Sequence, residues 1–192
     1  MAETDKAALR TAARRRRREL HAASPDAGEA AAGLLPEALR RFRVAALYEP
    51  AGSEIDPRPL GRVLAEQGAE LCLPAVVAVD APLEFRAWRP GEPLAPDAAG
   101  MAAPEASRPV LRPELVVVPL LAFDRFGGRL GQGGGHYDRT LAQLRAGGPV
   151  FVLGLAYAGQ EVDRLPAESH DQPLDAVLTE TGFRAFRSGE DI

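Results

Sequence analysis

A chain of 192 residues that is 46% hydrophobic and 26% charged, with a net charge of −4, can build one domain around a sizeable core; its composition excludes intrinsic disorder. One cysteine, Cys72, excludes an internal disulfide framework and points to a reducing compartment. No apolar run approaches the roughly 20 residues of a membrane span and the start lacks a signal-peptide core, so a cytoplasmic protein without membrane association is expected.

The first predicted element is a helix over residues 5–20, DKAALRTAARRRRREL, with Ala and Leu between the charges supplying propensity. Its basic run, Arg14 to Arg18, has two open readings. It is a solvated helix face, or it is an arm for nucleic acid, although aromatic residues that would stack on bases are missing. Lys6, Arg10 and Arg14 recur every fourth residue, so one face could clamp a single anionic ligand. After the breaker Ala-Ser-Pro-Asp a second helix is predicted over 26–41, with Asp26 as its cap. Residues 43–48 (RVAALY) read as a short buried strand, and EPAGSEID as the loop that follows. Asp56-Pro57 then supplies an N-cap and a first-turn proline for a helix reaching about Gly68. Residues 69–76, which hold Cys72 as a core residue, and residues 83–88 are the next strands. Residues 90–113 are rich in Pro, Gly and Ala and read as an ordered loop carrying one short strand or turn, not as a linker. A buried strand over 114–123, a glycine stretch, a helix over 137–145 and strands over 149–157 and 174–180 complete the chain.

Strands alternating with helices predict a single α/β domain over 1–192, a layered α/β/α arrangement with a central, largely parallel or mixed sheet. Ligands of such folds sit beyond the carboxyl ends of the strands. The loops after the strands ending near Tyr48 and Phe123 are therefore the places to search.

The second of those loops holds six of the nineteen glycines within residues 127–135, more unconstrained backbone than a mere connection needs. In Arg129-Leu130-Gly131-Gln132-Gly133-Gly134-Gly135-His136, missing side chains let amides approach phosphate oxygens, and the helix that follows adds unpaired donors and a favourable dipole. Arg129 could reinforce such a site. The loop lacks the Gly-Lys-Ser/Thr of a Walker A motif and the third glycine of a dinucleotide fingerprint, so a flexible connection stays open beside phosphate binding. Asp138 in the first helical turn favours the dipole in any case; beside a triphosphate it would also suit Mg²⁺. Asp171 or Asp175 could supply a second carboxylate. His21 and His170 read as structural, His136 is the histidine inside the presumed site, and no Cys/His cluster has zinc spacing.

LVVVPLLAFDRFGGRLGQGGGHYDR resembles a segment of the 5-formyltetrahydrofolate cyclo-ligases that reads Val-Pro-x-x-Ala-Phe-Asp, a spacer, Arg-Leu-Gly-x-Gly-x-Gly, an aromatic and Tyr-Asp. GLAYAGQEVDRLPAESHDQPLDAVLTETG is similar to that family's C-terminal stretch, and Lys6-x-x-x-Arg10 and LYEPAGSEID match as well. The resemblance runs from residue 6 to about 182. It implies an ATP- and Mg²⁺-dependent enzyme that makes 5,10-methenyltetrahydrofolate from 5-formyltetrahydrofolate. It would place ATP on Lys6, Arg10, Arg129, Gly131, Gln132, Gly133, Gly134, Gly135, His136, Tyr137 and Asp138, with Arg129 and Asp138 catalytic. The metal would lie on Asp138 and Asp175, and the folate on Tyr48, Glu49, Glu54, His136 and Tyr137. Two positions depart from the family pattern. His136 stands where Tyr or Phe is usual, turning a stacking contact polar, and Gly134 stands where some members carry Lys.

The expected partner is a small-molecule substrate, and the expected state a monomer without nucleic acid. Two other classes stay open on fold alone: a sugar-phosphate isomerase or acyl-CoA-handling enzyme, and a nucleic-acid-binding protein using the Arg-rich start.

Overall fold

The computed structural model describes the backbone of residues 2–186 and side chains from Lys6 onward. A long helix, α1 (Ala2–Ala23), is followed by α2 (Ala27–Gly33), β1 (Val44–Ala46), α3 (Arg58–Glu66), β2 (Glu70–Ala75) and β3 (Glu84–Ala87). A small hairpin, β4 (Ala95–Pro96) and β5 (Ala102–Ala103), lies within the Pro/Gly-rich loop before β6 (Leu115–Pro119). Next come β7 (Ala122–Asp124), β8 (Arg129–Leu130), α4 (His136–Ala146), β9 (Phe151–Leu155), β10 (Glu161–Val162), β11 (Ala176–Thr179) and β12 (Gly182–Ala185).

The main sheet has seven strands in the order β12-β11-β9-β6-β1-β2-β3. All neighbours from β11 through to β2 pair in parallel, and only the edge strands β3 and β12 are antiparallel. Side-chain alternation separates two cores. Leu115 and Val117 of β6 join Leu60 and Leu64 of α3 and the alanines of α2 on one face. Val116 and Val118 join Leu141 of α4, Phe85 and Cys72 on the other. The expected α/β/α layering is therefore present, and Cys72 is wholly buried, its thiol pushed up to about 12 by burial. Among the described residues no helix is long and apolar enough to cross a membrane.

Where the elements differ from expectation, local chemistry explains it. The helix expected over 26–41 is cut into α2 and a 3-10 turn, Glu37–Arg41. Pro36 lacks an N–H and disfavours helical geometry in the residue before it. Asp26 occupies the N-cap position of α2 without a side-chain cap bond. Pro57 is the N-cap of α3, and Asp56 accepts the Arg58 amide at 2.9 Å. The strand expected over 114–123 stops at Pro119, and β7 belongs to a separate three-stranded sheet, β10-β7-β8. Between the two pieces the carbonyls of Leu120 and Leu121 accept the Gln160 side-chain amide at 2.8 and 3.0 Å.

Chain direction reverses across the sheet at β1. From β1 the chain moves outward to β2 and β3, then returns to β6 on the other side of β1. The crevice beyond the carboxyl ends of β1 and β6 is thus the topological switch point, where open α/β sheets hold their ligands. The two loops singled out in the sequence converge there, and α1 lies across both.

Candidate active site

On the β1 side, the loop is drawn tight by its own side chains. Tyr48, buried, donates its hydroxyl to the Ile55 carbonyl at 2.6 Å. Glu54, also buried, accepts the Ala51 amide at 3.0 Å and the Arg17 guanidinium at 3.1 Å. Arg17 donates in addition to Ser53 Oγ at 3.2 Å and to the Leu120 carbonyl at 3.3 Å. One α1 side chain therefore fastens the helix, the β1 loop and the end of β6 together. Burial pushes the Tyr48 hydroxyl well above its usual range, and the Glu54 charge adds to this. Tyr137 is pushed up by the same two causes, and its ring packs against the core on the α4 face of the sheet. Glu49 forms an ion pair with Arg58 at the start of α3.

On the β6 side lie the glycine loop and the start of α4. Gly133 and Gly135 have φ of +108° and +66°. A Cβ on Gly133 would sit 3.3 Å from the Arg10 guanidinium, and one on Gly135 would sit 2.6 Å from that of Arg139. These two glycines thus serve both a left-handed backbone and a close cationic approach. The α1 face aligns with the loop as its four-residue spacing implies. Arg10 Nε donates to the Gly131 carbonyl at 3.2 Å, and Arg14 Nε to Gln132 Oε1 at 2.9 Å. Lys6, buried, is 3.0 Å from Glu168 and 3.2 Å from Asp171 in the C-terminal segment. His136 opens α4 with Nδ1 3.4 Å from Arg139, whose guanidinium also donates to the Gly134 carbonyl at 2.9 Å.

Arg129 and Asp138 meet at 2.6 Å, and the same Asp138 oxygen accepts the Gln172 amide at 2.9 Å. Burial draws the Arg129 guanidinium below its ordinary range, while the charge of Asp138 opposes this. The Nε–H of Arg129 is buried without a hydrogen-bond partner among the described residues. The same holds for Arg139 Nε, so two guanidinium groups beside the glycine loop keep a buried donor that an anion could use.

Asp175, expected to share a metal with Asp138, is joined to it through Arg145 and Gln172. It begins the run into β11, buried, with Oδ2 accepting the Val152 amide at 2.8 Å and Arg145 at 3.2 Å. Arg145 lies in the last turn of α4 and Asp138 in the first. Arg145 also donates to Gln172 Oε1 at 3.0 Å, so Asp175 supports the residue whose amide fixes Asp138. The carboxylates of Glu168 and Asp171 with His170 form a compact cluster of metal-ligand type, but Lys6 already lies against it.

Two residues escaped sequence reasoning. Arg17 looked like one more member of a basic run, and only the fold supplies Glu54 and Leu120. Asp124 was quoted as part of the Ala-Phe-Asp motif without a role. Buried, it accepts the amides of Phe126, Gly128 and Leu165, each at 2.9 Å. A Cβ on Gly128 would meet this carboxylate at 2.7 Å, so the glycine is required by close approach. Asp124 thereby joins the turn before Arg129 to the segment carrying Glu168 and Asp171.

A doubly wound sheet with ionisable groups gathered at its switch point is the architecture of an α/β enzyme, and comparison with known proteins gives the family. The sequence profile of the 5-formyltetrahydrofolate cyclo-ligase family matches residues 2–180. The 5-formyltetrahydrofolate cyclo-ligase of Mycolicibacterium smegmatis is 33% identical over 196 aligned residues, spanning 97% of this chain and 100% of the relative. That of Escherichia coli K12 is 35% identical over 131 residues, 66% of this chain and 71% of the relative. A solved 5,10-methenyltetrahydrofolate synthetase from Aquifex aeolicus superposes with a TM-score of 0.75 at 27% identity, covering 97% of this chain and 95% of that one. A Mycoplasma pneumoniae synthetase shares the fold, with a TM-score of 0.70 at 24% identity over 92% of this chain and 99% of that one. The chain belongs to the 5-formyltetrahydrofolate cyclo-ligase family and is an ATP-dependent cyclo-ligase.

Proposed function

We propose that this chain converts 5-formyltetrahydrofolate into 5,10-methenyltetrahydrofolate while splitting ATP into ADP and phosphate, and that the glycine loop and α1 hold the nucleotide. The observation that carries the reading is the unpartnered Nε–H of buried Arg129, beside a positive-φ glycine loop already flanked by Arg10 and Arg14. Such a cradle suits phosphate, whose oxygens accept from backbone amides and guanidinium groups alike.

An N-formyl group is an amide, too weak an electrophile for N10 to close the ring by expelling oxide. Its carbonyl oxygen attacks the γ-phosphorus, a P–O bond forms, and ADP departs. The formyl carbon is then an iminium phosphate carbon. The N10 lone pair attacks it, the C–O bond breaks toward the leaving phosphate, and the N10 proton departs with it. No protein nucleophile is needed; positioning and charge stabilisation are. Lys6, Arg10 and Arg129 neutralise phosphate charge, and the amides of Gly131 to Gly135 follow the moving group. Glu54 accepts donors of the pterin, and the neutral hydroxyl of Tyr137 lies within reach of its charge. His136, at the helix N-terminus, lies between the two ligands. Mg²⁺ would be held by Asp138 and phosphate oxygens and would add Lewis-acid charge neutralisation. The donor set fits: among the described residues only one Asp138 oxygen is taken, by Arg129 and the Gln172 amide. Asp175 remains Arg145's partner, as described above.

The reading extends to one domain acting as a cytoplasmic monomer on small molecules. It is also favoured over the nucleic-acid arm by the fate of the arginine run. Arg15 and Arg16 lie 3.9 and 3.8 Å from Glu19, and Arg17 is buried against Glu54. Purified protein mixed with Mg-ATP and 5-formyltetrahydrofolate should raise the near-ultraviolet absorbance of the methenyl product in step with ADP release. A folded protein that produces neither removes the proposal.

A further inference from the structure

The segment between β2 and β3, residues 76–83, leaves the sheet at the carboxyl end of β2, and one side chain ties it to the glycine loop. Arg139, half-buried in α4, donates from Nη2 to the Val79 carbonyl at 3.2 Å and to the Gly134 carbonyl at 2.9 Å. The same nitrogen lies 3.4 Å from His136 Nδ1. Next to it, the Thr140 hydroxyl accepts the Leu83 amide at 2.8 Å, so α4 holds the segment at two points. The other donors of Arg139 are idle among the described residues: Nε is buried without a partner, and no bond leaves Nη1. No described carboxylate forms an ion pair with it either, whereas Arg129 has Asp138 at 2.6 Å. Gly135 leaves room for this guanidinium, since a Cβ there would sit 2.6 Å from Nη1.

A cation without an acid is electrostatically misplaced here. The guanidinium folds back over Gly134 and Gly135 at the positive end of the α4 dipole, where the backbone favours an anion and opposes a cation. A tie between two carbonyls needs donors but no charge. We infer that Arg139 is a further phosphate-binding residue of the nucleotide site, holding the polyphosphate over Gly134-Gly135 while the Val79 and Gly134 carbonyls fix its guanidinium. The inference rests on the proposed placement of ATP on the glycine loop. It adds a cation from α4 itself, whereas Arg10 and Arg14 reach the loop from α1 and Arg129 belongs to β8. Two carbonyl contacts orient the guanidinium before the ligand arrives, so little side-chain freedom is lost on binding. Its idle N–H groups match phosphate oxygens in geometry and charge.

Calorimetric titration of Mg-ATP, and separately of 5-formyltetrahydrofolate, into the natural protein, Arg139→Gln and Arg139→Lys tests this. Glutamine keeps an amide donor for the carbonyls and loses the charge; lysine keeps the charge and loses the planar fork. Arg139→Gln should weaken Mg-ATP binding about tenfold or more, as loss of a charge-assisted bond does, and should leave folate binding within about twofold. The dependence of ATP affinity on salt should also weaken in that variant. Arg139→Lys should keep most of the ATP affinity. Arg139→Gln binding Mg-ATP as tightly as the natural protein overturns the inference. So do equal losses in the two variants, the mark of a carbonyl tie alone, and an equal loss for folate, the mark of a disturbed crevice. Arg139-dependent Mg-ATP binding in a protein that makes no methenyl product keeps the inference and removes the reaction. Turnover with ATP affinity indifferent to Arg139 does the opposite, and a natural protein that binds no Mg-ATP removes both.

Discussion

Around Glu54 the one buried cation, Arg17, is matched by an acid, whereas around the glycine loop only Lys6 and Arg129 meet carboxylates, and Arg10 and Arg14 face carbonyl oxygens and a side-chain amide. On the Glu54 side, Arg17 ties together the acid, Ser53 and the Leu120 carbonyl, Tyr48 donates to the Ile55 carbonyl, and the three titratable groups are buried. On the loop side, Arg10 and Arg14 touch only uncharged oxygens and Arg129 holds an unfilled donor. In the proposed reading, the pterin wall is built before substrate arrives, while the phosphate wall is completed by the ligand. Substitutions on the first side should therefore act on folding and folate selection, and those on the second on turnover and nucleotide binding.

The largest effect separating the sides is expected at Asp138. Asp138→Asn should lower kcat by about 10²- to 10³-fold, as loss of a charge-stabilising group does. Circular dichroism should show the fold retained, and a rate within a few-fold of the natural protein would remove Asp138 from the machinery. Arg17→Ala should instead reduce stability, because it strands the Glu54 carboxylate in a buried place. Urea unfolding should show a loss of about 3–5 kcal/mol, the usual range for breaking one half of a buried pair. A loss below about 1 kcal/mol, the range of exposed pairs, would mean that the two sides are equally open. Glu54→Gln should raise the KM for folate about tenfold or more, through a lost charge-assisted bond, with a much smaller change in the KM for ATP. Gly133→Ala should do the reverse. Forcing φ of +108° on a side chain, 3.3 Å from Arg10, should raise the KM for ATP several-fold, with strain of about 1–3 kcal/mol. The smallest effect is expected at Glu168. Phosphate must draw Lys6 away from Glu168 and Asp171, so Glu168→Gln should lower the KM for ATP about twofold, in line with a half-exposed ion pair. An increase would show that Glu168 positions Lys6 for ATP instead.

The same contrast explains what could be read in the sequence. The alternation of strands and helices, the buried run through Val116 to Val118 and the helical spacing of Lys6, Arg10 and Arg14 are local patterns, and the fold kept them. The glycine loop was legible because missing side chains announce backbone access. Arg17–Glu54 was not, because two buried opposite charges 37 positions apart look like a solvated run and a helix-entry acid until the fold joins them. The break after Pro119 was hidden for a related reason. Leu120 and Leu121 continue an apolar run, and only the Gln160 side chain, 40 and 39 positions on, shows that their carbonyls leave the ladder. The partners of Asp175, the Arg145 guanidinium and the Val152 amide, were not legible either, because they come from α4 and β9, 30 and 23 positions away.

Arg17 ties α1 to the crevice, Arg10 and Arg14 tie it to the glycine loop, and Lys6, eleven residues before Arg17 and about 16 Å away along the helix, ties it to the C-terminal segment. A rod fastened at several points cannot swing on one of them. Any displacement of α1 would have to carry all of these contacts together.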